Sequence, residues 1–125
     1  MSWVFETKLV AADGVLNDGF ASSLSLYRKI VVTGEEAFVI VSGAPASSAA
    51  YVMIYDPRTS AWSQNSKLLG AGGDQFGASV AVYEDVIAVG SPSASGGAGG
   101  VSTYQASNVS NRVVWSLQSS VSIWL

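Results

Sequence analysis

The chain carries one sequence pattern twice, and this internal repeat constrains the fold more than any other feature. Residues 72–92 begin with turn-forming residues, run apolar, break at Tyr83-Glu84-Asp85, run apolar again and end at Pro92. Residues 18–45 follow the same order and end at Pro45, with a longer stretch between their landmarks. Two apolar runs around a polar break are typical of a β-hairpin. We therefore predict a repeat protein assembled from hairpin units.

Tryptophans recur with the period of the repeat. They stand at the start of each unit: Trp3, Trp62 and Trp115. A tryptophan that recurs on a strand most often packs between repeats, and we prefer this interpretation to a ligand-stacking platform. The positions divide the single repeat region, residues 1–125, into units at about 3–61 and 62–114, with the start of a third unit at 115–125.

Further landmarks set the register between the units. Lys8-Leu9-Val10 matches Lys67-Leu68-Leu69, and Tyr55 is matched with Tyr104. The spacing changes only between landmarks, which is where loops absorb insertions. The largest change falls inside the first hairpin. We therefore predict that the first hairpin has longer arms than the second and projects beyond its neighbours.

Apolar runs of strand length, separated by turn residues, predict an all-β chain. No window shows the three- and four-residue apolar spacing of an amphipathic helix with caps. The predicted strands are residues 4–10, 22–32, 37–41, 50–55, 62–69, 78–82, 86–89, 100–104 and 113–123. Four strands in about fifty residues is the period of a β-propeller blade. We predict about two four-stranded antiparallel blades plus an extra strand, which make a partial propeller.

The inventory of side chains excludes several chemistries. The chain has no Cys and no His, which removes disulfides, thiolate metal sites and the commonest general base. Its 6 basic residues are scattered along the sequence, so it lacks the basic stripe that binds a phosphate backbone. It has no Gly-x-Ser-x-Gly nucleophile elbow. We expect no enzymatic activity, no cofactor and no nucleic-acid partner.

Location is only weakly marked in the sequence. The N-terminus lacks the basic and apolar regions of a signal peptide. The longest apolar stretch, residues 37–55, is interrupted by turn residues, which disfavours a membrane helix. Asn108-Val109-Ser110 is an N-glycosylation sequon in a predicted loop. We expect no membrane insertion, and whether Asn108 is glycosylated stays open.

The second copy resembles the FG-GAP repeat, which builds the seven-bladed propeller of integrin α subunits and of many cell-surface proteins. Four spaced elements carry the resemblance in order: Lys67-Leu68-Leu69, Asp74-Gln75-Phe76-Gly77, the strand Ala78-Ser79-Val80-Ala81-Val82, and Gly90-Ser91-Pro92. The first copy keeps Gly43-Ala44-Pro45 and has Phe20-Ala21 at the FG position. The resemblance covers almost the whole chain and implies propeller blades.

The resemblance also implies that these motif residues pack blade against blade. The implied packing residues are Phe20, Gly43, Ala44, Pro45, Phe76, Gly77, Gly90, Ser91 and Pro92. Ala21 replaces a glycine that in the family lets neighbouring blades approach closely. Calcium-binding members carry a loop of alternating aspartates, whereas residues 46–49 and 93–100 contain no carboxylate. We therefore expect no metal in these loops.

For function, the resemblance implies a non-catalytic interaction module that binds a protein or glycan ligand, as in adhesion at a cell surface. The tip of the longer hairpin is the predicted ligand contact: Thr33, Gly34, Glu35 and Glu36. Two blades leave sheet faces uncovered, so further blades, from a longer chain or by self-association, are also expected as partners. The alternative is a truncated or structural remnant of a propeller protein without independent activity. An extracellular location is implied by the resemblance alone.

Overall fold

Eight strands form two antiparallel sheets in the computed structural model, which describes residues 3–30, 36–109 and 112–122. The strands are β1 (Ser23–Ile30), β2 (Glu36–Ala44), β3 (Ala49–Asp56), β4 (Ala61–Leu69), β5 (Ser79–Tyr83), β6 (Val86–Ser91), β7 (Gly100–Val109) and β8 (Arg112–Ser122). Sheet 1 has the order β1-β2-β3-β4 and sheet 2 the order β5-β6-β7-β8. The predicted all-β fold with two four-stranded antiparallel sheets is confirmed.

Helical structure in the described part of the chain is limited to two short pieces. Pro45–Ser47 is one turn of 3-10 helix between β2 and β3, and Ala94–Gly97 is one helical turn between β6 and β7. Ser95 and Gly96 within the second turn have positive φ values, as its glycine-rich sequence allows. Among the described residues, no helix has the length and apolar character needed to cross a membrane.

The two hairpins that open the sheets differ in length. β5 and β6 are joined by Glu84-Asp85, the predicted turn, with Tyr83 opposite Val86. β1 and β2 remain paired until Ile30 lies opposite Glu36. β1 has 8 residues, whereas β5 has 5. The longer arms predicted for the first hairpin are therefore present, and residues 31–35 at its end lie outside the described part.

The first predicted strand does not form. Residues 4–10 belong to no sheet, and β1 begins only at Ser23. A strand needs a neighbour to satisfy its backbone hydrogen bonds, and none of the described strands pairs with this segment. At the other end, β8 pairs with β7 as the fourth strand of sheet 2. The sequence repeat and the sheets are therefore offset by one strand.

The strand register corrects one landmark of the repeat. Trp62 lies opposite Tyr55 in sheet 1, and Trp115 lies opposite Ala106 in sheet 2. Tyr55 is therefore the counterpart of Ala106, and its predicted match with Tyr104 is wrong. A slip of two residues keeps a side chain on the same face of a strand, so the alternating pattern alone did not reveal the error.

The main core lies between the two sheets. Side chains on a strand point alternately to its two faces, and each sheet turns one apolar face towards the other. The buried residues of this core are Val39, Val41, Ala50, Val52, Leu68, Phe76, Val82, Ile87, Val89, Tyr104 and Trp115. Removing this apolar surface from water is the main stabilising contribution to the contact between the sheets.

A second, smaller core covers part of the opposite face of sheet 1, here called the outer face of sheet 1. Residues 3–22, the N-terminal segment, precede β1 and contribute Leu9, Ala11 and Phe20 to this face. The buried members are Ala11, Ala44, Ala49, Tyr51 and Met53, with Leu9, Phe20, Ile40 and Trp62 packed against them. Both faces of β3 are consequently buried over residues 49–53.

Candidate interaction surfaces

Two glycines allow the sheets to approach backbone to backbone. A Cβ atom on Gly43 would overlap the carbonyl oxygen of Gly77, and a Cβ atom on Gly77 would overlap that of Ala49. Gly77 also has a φ of +97°, which glycine adopts without steric cost. The hydroxyl of Ser23 donates a hydrogen bond to the Gly77 carbonyl at 2.9 Å. Gly43 and Gly77 thus lie at the contact between the sheets.

Aromatic motif residues lie on matching faces of the two sheets. Phe76 is 2% exposed, and its ring lies edge-on to that of Tyr104 at 6.4 Å. Phe20 lies edge-on to Tyr51 at 5.5 Å and is only half-buried. The same motif position is therefore enclosed by a neighbouring sheet in one copy and partly open in the other.

The remaining motif residues lie at the strand ends and turns of their own sheets. Ala44 and Ser91 are buried, and Pro45 begins the short 3-10 turn. Gly90 lies opposite Ser79 in its own sheet, where a Cβ atom would overlap the serine hydroxyl. Pro92 is exposed, so the structure gives it a turn position rather than a packing contact.

Polar and aromatic contacts add to the contact between the sheets at β1 and β5. The Val82 N–H donates a hydrogen bond to the hydroxyl of Ser25 at 3.0 Å. The rings of Tyr27 and Tyr83 meet edge-on with centroids 5.2 Å apart. Desolvation raises the pKa of Tyr27, and the nearby charge of Glu84 raises it further. Strand β5 therefore lies with one backbone edge against side chains of β1.

On the outer face of sheet 1, an alanine stands in the place of the glycine that allows close backbone approach between the sheets. Ala21 is the counterpart of Gly77, since both follow the motif phenylalanine and both have positive φ, +71° and +97°. Ala21 carries a Cβ atom where the contact between the sheets requires glycine. A neighbour docked here in the same geometry would meet that atom with its backbone.

This outer face nevertheless exposes large apolar side chains. Leu24 and Leu26 are each 62% exposed, whereas Val82, the counterpart of Leu26, is 7% exposed. Together with Phe20, Ile40 and other residues, the two leucines line an open groove of about 470 Å³. The equivalent face of sheet 2 is buried against sheet 1, so the same apolar pattern is covered in one copy and exposed in the other.

A polar cluster fixes the N-terminal segment to sheet 1. The Tyr51 hydroxyl donates a hydrogen bond to Asp13 at 2.8 Å, and the Lys67 ammonium group donates another to the second carboxylate oxygen. Lys67 also lies 5.4 Å from the centre of the Tyr51 ring. Nearby, the Ala12 N–H donates to the side-chain oxygen of Gln64 at 3.0 Å. These contacts hold residues 11–13 on the sheet.

The charges of this cluster shift one another's protonation. The hydrogen bond from Lys67, followed by that from Tyr51, lowers the pKa of Asp13. The same bond raises the pKa of Lys67, while burial is the main cause that raises the pKa of Tyr51. The ion pair is therefore fully formed at neutral pH. Lys67 lies 54 residues from Asp13 in the sequence, so no local pattern marks the two residues as partners.

The neighbouring acidic residue is a turn former, as its sequence context suggests. Asp18 is 7% exposed, and its carboxylate accepts hydrogen bonds from the N–H groups of Val15 and Phe20 at 3.0 and 3.1 Å. In the described ranges, no three carboxylates gather in a way that would hold a metal ion. Asp18 consequently shapes the backbone of the N-terminal segment.

The outer face of sheet 2, turned away from sheet 1, is less apolar than the outer face of sheet 1. Ala81, Tyr83, Val86, Ala88 and Gln105 line a shallow groove there of about 480 Å³. By register, Gln105 stands where sheet 1 has Ile54, and Ala81 stands where sheet 1 has Ser25. This face therefore differs chemically from the face of sheet 1 that receives sheet 2.

The hairpin tip predicted as a ligand contact lies mostly outside the described residues. Thr33, Gly34 and Glu35 fall in the range 31–35, and Glu36 is the first residue of β2. The described pairs of the same hairpin place its end beyond that of β5 and β6.

Comparison with known families agrees with this architecture. The family model described as the FG-GAP repeat matches residues 3–53 and again residues 62–104. No curated protein matches the chain. The two matches span most of the chain and include Gly43 and Gly77 at the contact between the sheets. The chain therefore belongs to the FG-GAP repeat family, whose repeat is an element of the β-propeller.

Proposed function

We propose that the chain is a non-catalytic binding module whose two sheets support a projecting hairpin that contacts a protein or glycan ligand, as in adhesion at a cell surface. FG-GAP repeats are generally non-catalytic propeller modules, which supports the class of function. The observation that carries the proposal is the difference between two matched hairpins: β1 and β2 have 8 and 9 residues, whereas β5 and β6 have 5 and 6.

Strand pairing and one aromatic contact support the base of the additional length. Three strand pairs lie beyond the position at which the second hairpin turns: Arg28–Phe38, Lys29–Ala37 and Ile30–Glu36. At about 3.3 Å per residue, they carry the hairpin about 10 Å further. The ring of Phe38 lies edge-on to Tyr55 at 6.0 Å, and this contact ties the projecting part to β3. A braced projection presents a small contact surface at little entropic cost on binding.

The test is a selection with two defined probe sets on the immobilised chain: a random-peptide phage library and a glycan microarray. A variant that lacks Gly34 to Glu36 is compared with the wild type, and matched urea denaturation shows that folding is kept. We expect peptides or glycans enriched on the wild type to be lost on the deletion variant. Equal enrichment on both proteins would remove the hairpin from the binding site.

A matched control separates the hairpin tip from the exposed apolar face. The variant Leu26→Glu changes the outer face of sheet 1 and leaves residues 31–36 intact, so hairpin ligands should still bind it. If neither probe set shows enrichment on the wild type, the binding role is refuted, and the alternative of a structural remnant without independent activity is supported.

A further inference from the structure

A cavity of about 310 Å³ lies between sheet 2 and the linker that joins β4 to β5. Asp74 and Phe76 come from the linker, whereas Ser91, Ser102 and Tyr104 come from β6 and β7. The volume is at the lower end of that of small-molecule sites, which is about 300–1,000 Å³. A ligand of this cavity is therefore small.

The matched place on sheet 1 is filled by side chains of the chain itself. By strand register, Tyr51 is the counterpart of Ser102, and Lys67 is the counterpart of Ser120. The Tyr51 hydroxyl and the Lys67 ammonium group both donate hydrogen bonds to Asp13. Because serine is much smaller than tyrosine, sheet 2 has a cavity at Ser102 in the place where sheet 1 holds an ammonium group.

The linker supplies the cavity with one carboxylate and no cation. After a matched alanine in each copy, the N-terminal segment has residues 13–17 before Asp18, whereas the linker has only Gly72-Gly73 before Asp74. Among the described residues, Asp74 is the charged residue that lines the cavity, and no lysine or arginine lines it. Burial raises the pKa of Tyr104, so its phenol is neutral at neutral pH. The cavity therefore carries a net negative charge.

The carboxylate of Asp74 differs in its contacts from that of its counterpart Asp18. The Asp18 carboxylate accepts hydrogen bonds from the N–H groups of Val15 and Phe20. Within the described ranges, no group donates a hydrogen bond to the Asp74 carboxylate and no cation pairs with it, although the residue is half-buried. A carboxylate in this environment favours a cation that also donates hydrogen bonds.

A buried hydroxyl group also lines the cavity. Ser91 is 5% exposed, and no group in the described part of the chain forms a hydrogen bond with its hydroxyl. A buried polar group without a partner is unfavourable, so a ligand with N–H donors would be stabilised here. An ammonium group has several N–H donors and can donate to more than one acceptor.

Hydrogen bonds tie the walls of the cavity together before any ligand binds. The Ser93 N–H donates to the Asp74 carbonyl oxygen at 3.1 Å, and the Ser93 hydroxyl donates to the side-chain oxygen of Gln75 at 2.6 Å. These bonds join the linker to the turn that follows β6. Leu69 and Leu117, which also line the cavity, are exposed and offer apolar surface to an alkyl chain. A cavity formed in advance lowers the ordering cost of binding.

We propose that this cavity binds a primary alkylammonium group, with Asp74 as its counter-ion, Ser91 as a hydrogen-bond acceptor, and Phe76 and Tyr104 beside the alkyl chain. The ammonium group belongs either to a free amine or to a lysine side chain of a partner. Calcium needs about six or more oxygen ligands, which one carboxylate and a few hydroxyls do not supply. The cavity is separate from the hairpin tip, and the inference does not depend on the proposed function.

The direct test is a titration of the full chain, labelled with ¹⁵N, with n-butylammonium chloride at constant ionic strength. We expect saturable shifts of the amide signals of Asp74, Phe76 and Ser102, with a dissociation constant of roughly 1 mM for so small a ligand. n-Butanol has the same carbon chain without the charge and should cause no saturable shift. Absence of saturable shifts with n-butylammonium, or equal shifts with n-butanol, would overturn the proposal.

A charge variant and a matched control test the role of the carboxylate. Asp74→Asn removes the charge and keeps the shape of the side chain, so it should weaken binding by about tenfold or more. Glu6→Gln removes an exposed carboxylate outside the cavity, which changes the net charge equally, and it should leave the affinity unchanged. Binding that survives Asp74→Asn, or that weakens equally in Glu6→Gln, would overturn the proposal.

A variant that fills the cavity tests its location. Ser102→Tyr introduces the side chain that the first repeat has at this place and should abolish binding, with urea denaturation as the check that the variant folds. Binding of n-butylammonium to folded Ser102→Tyr would place the ligand elsewhere and overturn the proposal, and Asp74→Asn decides the question if Ser102→Tyr does not fold. The hairpin deletion should leave the titration unchanged, which separates this inference from the proposed function.

A second ligand distinguishes the two sources of the ammonium group. Lysine with both its α-amino and its carboxyl group capped carries the same ammonium end on a peptide backbone. Binding of capped lysine at the same residues as n-butylammonium would support a lysine side chain of a partner. Binding of n-butylammonium alone would support a site for free amines.

Discussion

The buried contact between the sheets and the outer face of sheet 1 are built from matched positions, yet only one of them is closed. Ile87 and Ile40 occupy equivalent places in β6 and β2; Ile87 is fully buried between the sheets, whereas Ile40 is half-buried on the outer face. Likewise, Val82 is buried between the sheets, whereas its counterpart Leu26 is exposed on the outer face of sheet 1. What a repeated position contributes to stability therefore depends on whether a neighbouring sheet lies against it.

The two surfaces also differ in the atoms that control close approach. Gly77 and the hydroxyl of Ser25 permit and fix the contact between the sheets, whereas the counterparts at the other surfaces are Ala21 and Ala81. The apolar pattern repeats, but the small residues that set the separation of the sheets do not. The apolar pattern therefore favours contact of a face with a neighbouring sheet, whereas glycine and serine determine which neighbouring sheet can approach it closely.

The largest effect is expected from removing equivalent apolar side chains. Ile87→Ala should lower the free energy of unfolding by about 4 kcal/mol, because the residue is 0% exposed and a cavity would remain. Ile40→Ala should lower it by about 1 kcal/mol, because that site is already half open to water. Urea denaturation followed by far-UV circular dichroism measures both, and equal losses would contradict the distinction between closed and open faces.

The second comparison concerns the motif glycine and its replacement. Gly77→Ala should lower the free energy of unfolding by about 3 kcal/mol, since the new Cβ atom overlaps the Ala49 carbonyl and the backbone is left-handed. Ala21→Gly, the matched reverse change, should be neutral or slightly stabilising because it relieves a positive φ. Thermal unfolding of both variants checks this, and a well-tolerated alanine at position 77 would contradict the close approach.

A smaller effect is expected at the serine that accepts from β5. Ser25→Ala leaves the Val82 N–H without its acceptor, which should lower the free energy of unfolding by about 1 kcal/mol. Ala81→Ser, at the equivalent position on the outer face of sheet 2, should change it by less than about 0.5 kcal/mol. Hydrogen exchange at the Val82 amide gives a local measurement, and unchanged protection there would argue against the bond.

The smallest effect concerns the cluster that lies on sheet 1 without a counterpart on sheet 2, Asp13 with Tyr51 and Lys67. The pKa of Asp13 is lowered from its ordinary value of 3.8, so its contribution is present above pH 3.8 and is lost as the pH falls through the lower value in the folded state. Protection of residues 11–18 against hydrogen exchange, corrected for the intrinsic exchange rate at each pH, should fall over this acid range, while that of β6 stays constant. Asp13→Asn should remove this pH dependence, and its persistence in the variant would assign it elsewhere.

Much of the fold is predictable from the sequence, because strands and turns leave local patterns. Alternation along 22–32 predicts that Leu24 and Leu26 share a face, and Glu84-Asp85 predicts the second turn. The segment 4–10 shows the limit of this reasoning. Its pattern is that of a strand, but a strand also needs a neighbouring strand to pair with. Which strands become neighbours is decided only when the sheet assembles.

The candidate surfaces are only partly predictable for the same reason. The unequal hairpins follow from spacing along the chain, and the structure shows the longer arms. The contact of Gly43 with Gly77 and the cluster around Asp13 join residues far apart in sequence, so no local pattern marks them. The wrong match of Tyr55 with Tyr104 shows that apolar alternation is preserved when two strands are aligned with a shift of two residues.

The sequence by itself determined the repeat, the all-β class and the length of each hairpin, since these depend on side-chain alternation and turn chemistry along one strand. The tertiary structure alone decided which face of each sheet is closed, which glycine lies against a neighbouring backbone, and where Asp13 finds its partners. The physical reason is that burial and close approach are relations between strands, so identical patterns acquire different roles when only one of them has a sheet beside it.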